Sequence, residues 1–163
     1  MTKTIRCLGL IVPACLLAAP AGAQLLVHKD LTVAIARTIV EASIEACRSR
    51  GWNVSAVVVD RAGDTLVAMR GDNASPHTME NARRKAYTAR SFRQPTAEYA
   101  KKYADHDPVV MQQVTLPNVI AIPGGVPIKV GDDVIGGVGL SGSPGKDEEC
   151  VQVGLGKVAD QLK

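Results

Sequence analysis

Three histidines are the only neutral nitrogen ligands that this sequence offers to a metal, and each lies in a different context. His28 precedes the first predicted helix, His77 lies in the first turn of a basic helix, and His106 stands between two aspartates. An imidazole binds iron, zinc or copper, so each is a candidate metal ligand. The acidic neighbours of His106 suit a free metal ion. At every one of the three positions, the alternative is a solvent-exposed histidine without a ligand.

The helix that begins near His77 also carries cationic and hydroxyl side chains. Arg84 lies seven residues after His77 and returns to the same side of the helix, Lys85 follows it, and Thr88 is one turn further on. Guanidinium and ammonium groups pair well with carboxylates. We therefore predict that one face of this helix presents a metal ligand together with a partner for an acidic group. A solvated basic face is the alternative.

Sequence motifs for nucleophilic or metal-dependent catalysis are absent. The stretch Gly139-Leu140-Ser141-Gly142 lacks the spacing of a nucleophile elbow. Neither HExxH nor CxxC occurs, and the loop at 141–145 lacks both the lysine of a P-loop and the glycine spacing of a dinucleotide fingerprint. These absences favour a binding protein over an enzyme.

Residues 1–23 have the pattern of a secretory signal sequence. Lys3 and Arg6 form a basic head before an apolar run, and small residues at 21–23 precede a cleavage predicted before Gln24. The apolar run is too short to cross about 30 Å of hydrocarbon comfortably. The sequence thus predicts one periplasmic or secreted domain over 24–163. An uncleaved anchor or a buried N-terminal helix is the alternative.

The composition excludes several classes of protein. A chain of 163 residues that is 46% hydrophobic and 21% charged is neither disordered nor a membrane bundle. Aromatic residues make up only 3%, too few for base-stacking platforms. Loss of Lys3 and Arg6 on cleavage lowers the formal net charge from +3 to +1, a poor match for nucleic acid. We predict neither a nucleic-acid partner nor a membrane partner after cleavage.

Four cysteines become two after the predicted cleavage, and the two that stay are Cys47 and Cys150. Their wide separation excludes the common clustered zinc patterns. An oxidising compartment permits a disulfide between them. From the residues alone, a disulfide and two buried thiols both stay open.

Apolar periodicity and turn residues predict an α+β fold. Tight turns between successive strands make the strands antiparallel, and strands that are grouped rather than alternating with helices indicate the α+β class. A five-stranded antiparallel sheet with helices on both faces accounts for all the elements. The predicted helices cover 30–50, 76–90, 95–104, 107–114 and 144–162, and the predicted strands cover 52–59, 65–70, 119–122, 126–130 and 134–140.

Four ordered sequence blocks resemble the GlcG/HbpS family of haem-binding proteins. The resemblance implies a profilin-like or roadblock-like sheet, homo-oligomeric assembly, and haem binding by at least some members. It extends from about residue 30 to the end of the chain. The matching blocks are VVVDRAG at 57–63, RRKAYTA at 83–89, PGGVPI at 123–128 and GGVGLSG at 136–142, with Asp147-Glu148 just beyond.

The resemblance gives the candidate residues specific roles with haem. With haem as the implied ligand, helical spacing makes His77 the preferred candidate iron ligand, Arg84 and Lys85 the candidate partners of the propionates, and Thr88 a candidate for lining the same side. Since one branch of the family holds haem through a histidine near the first helix, His28 is the second candidate iron ligand.

The resemblance also bears on the cysteines and on function. In that fold the first and last helices pack side by side, which would bring Cys47 and Cys150 together in a disulfide. We predict an exported, homo-oligomeric haem-binding protein that acts in haem or iron handling. The alternatives are an enzyme that degrades haem or converts another small molecule, and a non-catalytic module for sensing or partner binding.

Overall fold

A computed structural model describes residues 24–163, so the predicted signal sequence lies outside the described residues. The described chain forms five α-helices, four β-strands and a closing 3₁₀ turn. In chain order these are α1 (Val33–Arg48), β1 (Ser55–Val59), β2 (Thr65–Arg70), α2 (His77–Phe92), α3 (Thr96–Ala104), α4 (Pro108–Gln113), β3 (Gly125–Val130), β4 (Asp133–Ser141), α5 (Asp147–Gly156) and the 3₁₀ turn Ala159–Gln161.

The four strands form one antiparallel sheet in the order β2-β1-β4-β3. Strand β1 is buried along its whole length and pairs with both β2 and β4. The α+β class and the antiparallel pairing are thus confirmed. The number of strands in the described chain is four, not the five that the sequence predicted.

The predicted strand at 119–122 is an irregular segment held by side chains of α2. The backbone N–H of Ile120 donates to the hydroxyl of Thr88 at 2.9 Å, and the carbonyl of Val119 accepts from Arg84 at 2.6 Å. Both residues are buried. An apolar run has the same pattern whether a strand or a helix covers it. The sequence therefore does not show that this segment packs on α2 rather than pairing with a strand.

Helices pack on both faces of the sheet. Because side chains alternate along β1, Val58 faces a core shared with α1 and α5, whereas Val57 and Val59 contact Ala82 and Ala86 of α2. Both layers are aliphatic, as the shortage of aromatic residues requires. Within residues 24–163, no helix combines the length and the apolar character needed to cross a membrane.

Glycines in β4 allow α2 to lie directly on the sheet. A Cβ atom on Gly137 would stand 2.3 Å from the carbonyl oxygen of Ala86, and one on Gly139 would stand 2.1 Å from that of Ala82. Glycines weaken a strand, so their recurrence in β4 indicates a close approach of backbone or ligand. The approach is that of backbone from α2.

A matched pair of glycines in α5 tests the contact between α5 and α1. A Cβ on Gly154 would lie 2.1 Å from the hydroxyl oxygen of Ser43, whereas one on Gly156 would meet nothing within 4 Å. We expect Gly154→Ala to lower the free energy of unfolding by about 1–3 kcal/mol through overpacking. Gly156→Ala should leave it unchanged or raise it by up to about 1 kcal/mol. Urea unfolding of both variants measures the difference, and equal values would contradict this packing.

The structure joins Cys47 and Cys150 in a disulfide. The bond connects the last turn of α1 to the first turn of α5, the Cα atoms are 5.6 Å apart, and both residues are fully buried. The side-by-side packing of the first and last helices accounts for this pairing.

Candidate functional site

An open cavity of about 630 Å³ lies where the start of α2, the end of β4 and the start of α5 meet. This volume falls in the range of about 300–1,000 Å³ that is typical of small-molecule and cofactor sites. The apolar part of its wall consists of Ala97, Ile122, Pro123 and Pro144. The combination of an apolar wall with a few polar groups makes it the candidate functional site.

Buried hydroxyl groups fix the start of α2 at this cavity. The hydroxyl of Thr78 donates to the carbonyl of Ser75 at 2.7 Å and lies 2.7 Å from the hydroxyl of Ser55. Ser55 in turn pairs with Ser141, the last residue of β4. The first turn of α2 is therefore held at the end of β4 where the cavity opens.

His77 is the first residue of α2 and lines the cavity. Its side chain is exposed, and within residues 24–163 neither ring nitrogen takes part in a hydrogen bond or an ion pair. An unengaged imidazole beside a cavity is free to bind a metal through one nitrogen. Of the three predicted metal ligands, His77 is the one that lines this cavity.

Lys85 lies at the buried floor of the same cavity, but its ammonium is already paired. Its side chain is 2% exposed, and Nζ donates to Oδ2 of Asp147 at 2.7 Å and to the carbonyl of Leu140 at 3.0 Å. A Cβ on Gly124 would stand only 3.0 Å from this nitrogen, so a glycine there keeps the space open. The pair thereby joins α2, β4 and α5 beneath the cavity.

Asp147 also organises the loop that leads into α5. Its Oδ1 accepts from both the backbone N–H and the hydroxyl of Ser143, at 2.9 and 2.7 Å. The Ser143 hydroxyl oxygen lies 3.2 Å from Sγ of Cys47. A buried polar chain therefore runs from the disulfide through Ser143 and Asp147 to Lys85.

Arg84 and Thr88 lie away from the cavity. They hold the segment that contains Val119 and Ile120, as described above, and Nε of Arg84 is buried without an acceptor among the described residues. The expectation that His77, Arg84, Lys85 and Thr88 present one ligand-binding face is not met. The structure brings only His77 and Lys85 to the same cavity. The side chains of Arg84 and Thr88 instead bind the backbone of Val119 and Ile120.

His28 lies at the opposite end of the sheet from His77. The guanidinium of Arg61 binds both the carbonyl of Lys29 and the carboxylate of Asp133, at 2.7 Å each. Hydrogen bonding from Arg61 lowers the pKa of Asp133, and the nearby charge of His28 adds to this effect. Asp133 begins β4 and Ser141 ends it, a span of roughly 25 Å. His28 and His77 of one chain therefore cannot bind the same iron.

His106 is exposed in the turn between α3 and α4, where its backbone has a positive φ of 59°. It does not line the cavity. Among residues 24–163, no group of three or more His, Cys, Asp and Glu side chains is arranged to hold a metal ion. Asp105 pairs with Lys101 and Asp107 caps the start of α4, so the Asp105-His106-Asp107 stretch is accounted for without a ligand.

The charged side chains of the cavity wall are mostly acidic. Asp147 and Glu148 line it together with Lys85, whose charge Asp147 balances. Glu148 accepts the backbone N–H of Ala97 at 3.3 Å. Arg84, which the sequence predicted as a partner for an acidic group on this face, adds no positive charge to the cavity because its guanidinium binds the carbonyl of Val119 instead.

A family model described as "Haem degrading protein HbpS-like" matches residues 31–156. The chain belongs to the HbpS-like family. The resemblance seen in the sequence blocks is thus confirmed. The match covers every strand and helix described above except the final 3₁₀ turn.

Curated relatives of this HbpS-like protein include Protein GlcG of Escherichia coli K12. GlcG is 32% identical over 111 residues, which cover 68% of this chain and 81% of GlcG. An uncharacterized 15.0 kDa protein from the dhaT-dhaS intergenic region of Citrobacter freundii is 34% identical over 115 residues, 69% of this chain and 80% of that protein.

Solved structures show the same fold. A double mutant of HbpS from Streptomyces reticuli superimposes with a TM-score of 0.77 at 35% identity and covers 86% of this chain and 97% of HbpS. A PduOC:Heme complex superimposes with a TM-score of 0.71 at 23% identity, over 78% of this chain and 94% of PduOC. At that identity, the second likeness concerns the fold alone.

The partners of Lys85 are the part of the site that the sequence did not reveal. Lys85 was predicted to face a ligand, and Asp147 had no assigned role beyond the resemblance. The available signals were the Gly124-Gly125 pair, which makes room for Lys85, and an aspartate at the very start of the last helix. Neither signal states that the two charges meet.

Proposed function

We propose that this protein binds haem in the cavity at the start of α2 and acts in haem or iron handling. The observation that carries the proposal is the exposed, unengaged imidazole of His77 on the wall of a cavity of about 630 Å³. Membership of a family described as haem degrading supports it. So does the haem complex of PduOC, a protein of the same fold.

The donor set of the cavity fits the iron of haem better than it fits the propionates. A porphyrin supplies four nitrogens of its own, so a single imidazole suffices as a protein ligand. The apolar side chains of Ile122, Pro123 and Pro144 suit a flat hydrocarbon ring. Lys85 does not fit as a propionate partner, because Asp147 already balances its charge. When bound, haem would supply the redox chemistry of its iron.

Titration of the protein with hemin, followed by visible absorption, tests this proposal. We expect a shifted Soret band in the wild type and affinity reduced at least about tenfold in His77→Ala, because the iron loses its protein ligand. His106→Ala is the matched control, since this histidine is also exposed but lies away from the cavity. Absence of a band in the wild type would reject haem binding. A band lost in His28→Ala and retained in His77→Ala would move the site.

Haem degradation is the second candidate function, and the family description favours it. Adding a reductant such as ascorbate to the hemin-loaded protein tests whether it degrades haem. Loss of the Soret band with release of iron, faster than for free hemin, would indicate turnover. A stable band would leave the protein as a carrier or store.

Export is part of the proposal. The signal-like pattern of residues 1–23 and the Cys47–Cys150 disulfide of the structure both support a periplasmic or secreted protein. We expect the exported form to begin at Gln24, which intact-mass measurement determines. Retention of residues 1–23 would contradict cleavage.

We also propose that the exported protein is a homo-oligomer, as the resemblance implies. Apolar side chains that are more than half exposed on the described chain, among them Val33, Val109 and Leu116, support self-association. Light scattering that gives the mass of a monomer would remove this proposal.

A further inference from the structure

The ammonium of Lys85 has one hydrogen-bond donor more than the protein uses. An ammonium carries three N–H groups, and those of Lys85 find two acceptors, Asp147 and the carbonyl of Leu140. No third acceptor occurs among the described residues. Lys85 is one of the residues that line the cavity, and its side chain is 2% exposed. A ligand oxygen at the cavity floor would complete its hydrogen bonding.

The charges around Lys85 determine which kind of oxygen fits. Asp147 and Glu148 already give the cavity wall two carboxylates to one ammonium. A carboxylate ligand would be the third, and carboxylates crowded around one cation raise each other's pKa and oppose ionisation. An uncharged hydroxyl or carbonyl oxygen accepts the same hydrogen bond without that cost.

The rest of the wall suits the same class of ligand. The side-chain amides of Asn53 and Asn81 line the cavity and make no hydrogen bond within residues 24–163, so each can donate to or accept from a hydroxyl group. Glu148 engages one carboxylate oxygen with the N–H of Ala97, which leaves the other for a hydroxyl donor. Ile122 and Pro123 provide apolar contact for a short carbon chain.

We propose that the floor of this cavity binds the hydroxyl or carbonyl oxygen of a small uncharged alcohol or carbonyl compound through Lys85, and discriminates against carboxylates. The acceptor atom lies on the ligand, and Asp147 holds Lys85 in place. This site is distinct in chemistry from an iron ligand at His77, so it does not rest on haem binding. In this proposal, the buried charges of the cavity determine which ligands bind.

Probes of equal carbon number but different charge test the inference on the wild-type chain over 24–163. Hydroxyacetone is compared with lactate, and glycerol with glycerate, by following the backbone amide NMR signals of Gly124, Gly142 and Ser143 during titration. We expect saturable shifts with the uncharged probes in the millimolar range, and binding of each carboxylate weaker by at least about tenfold. Carboxylate binding as tight as that of the uncharged partner would overturn the inference, as would no shift with either uncharged probe.

The variant Glu148→Gln sharpens the test. It removes one negative charge from the wall while the glutamine oxygen still accepts the N–H of Ala97, so the fold should be retained. We expect the affinity for lactate, relative to that for hydroxyacetone, to rise at least about threefold in this variant. An unchanged ratio would show that charge does not set the preference. Hemin titration of the same wild-type sample separates the two ideas, because failure to bind hemin leaves the probe result standing, and the reverse also holds.

Discussion

Lys85→Met is expected to lower the free energy of unfolding by about 3–5 kcal/mol, because it strands a buried carboxylate. The ammonium of Lys85 and the carboxylate of Asp147 are 2% and 11% exposed, and they stand 2.7 Å apart. Methionine fills a similar volume but leaves Asp147 without its cation. Chemical denaturation of the wild type and the variant measures the loss.

Lys101→Met is the matched control. Lys101 also forms an ion pair, with Asp105, but there the two side chains are 75% and 60% exposed. An exposed pair contributes between about 0 and 1 kcal/mol, so this variant should stay close to the wild type. The double variant Lys85→Met/Asp147→Asn should recover part of the stability, since the buried charge is gone. A loss below about 1 kcal/mol in Lys85→Met would contradict the described packing.

Removal of the disulfide should destabilise the protein about as much as Lys85→Met does. Cys47 and Cys150 are 103 residues apart in the sequence, and for a loop of about 100 residues the chain-entropy model gives about 4.7 kcal/mol. We expect Cys47→Ala/Cys150→Ala to lower the free energy of unfolding by about 4 kcal/mol, within the usual range for native disulfides. The bond also lies beside Ser143, so its loss loosens the loop that leads into α5.

Wild-type protein unfolded, reduced and refolded with reductant present is the control for that experiment. Its free energy of unfolding should equal that of the double variant, because both lack the covalent link while the rest of the chain is nearly unchanged. Agreement of the double variant with the oxidised wild type would contradict a stabilising disulfide. Detection of two free thiols in oxidised, unfolded protein would show that the bond does not form.

The elements of the fold were largely predictable because their patterns are local. Both hairpins follow from turn residues. The glycines of β4 indicate a close approach of either backbone or ligand, and the structure shows that it is the backbone of α2. The segment at 119–122 was not predictable, since its neighbour is α2 rather than a strand. An apolar run indicates that a segment is buried, but it does not indicate which element packs against it.

The candidate site was only half predictable for the same reason. The position of His77 follows from one helix start, which the sequence indicates through Ser75-Pro76. The role of Lys85 depends on Asp147, 62 residues further on, which meets it only after α5 packs beneath the sheet end. Helical spacing placed Arg84 and His77 on one side of α2, but the depth of burial along that side is set by the sheet.

The charges that line the cavity determine which interactions are available to bind haem. A cleft lined by Arg84 and Lys85 would have bound the propionates directly. The cavity described here instead offers His77 at its wall and the balanced pair of Lys85 and Asp147 at its floor. The iron ligand is therefore the interaction on which the proposed function depends.

A crystal structure of residues 24–163 with hemin bound would show whether haem occupies the cavity at the start of α2. We expect a porphyrin against Ile122 and Pro123, with its iron on the imidazole of His77 and its propionates away from Lys85. Iron bound at His28, some 25 Å along β4, or propionates on Arg84, would contradict it.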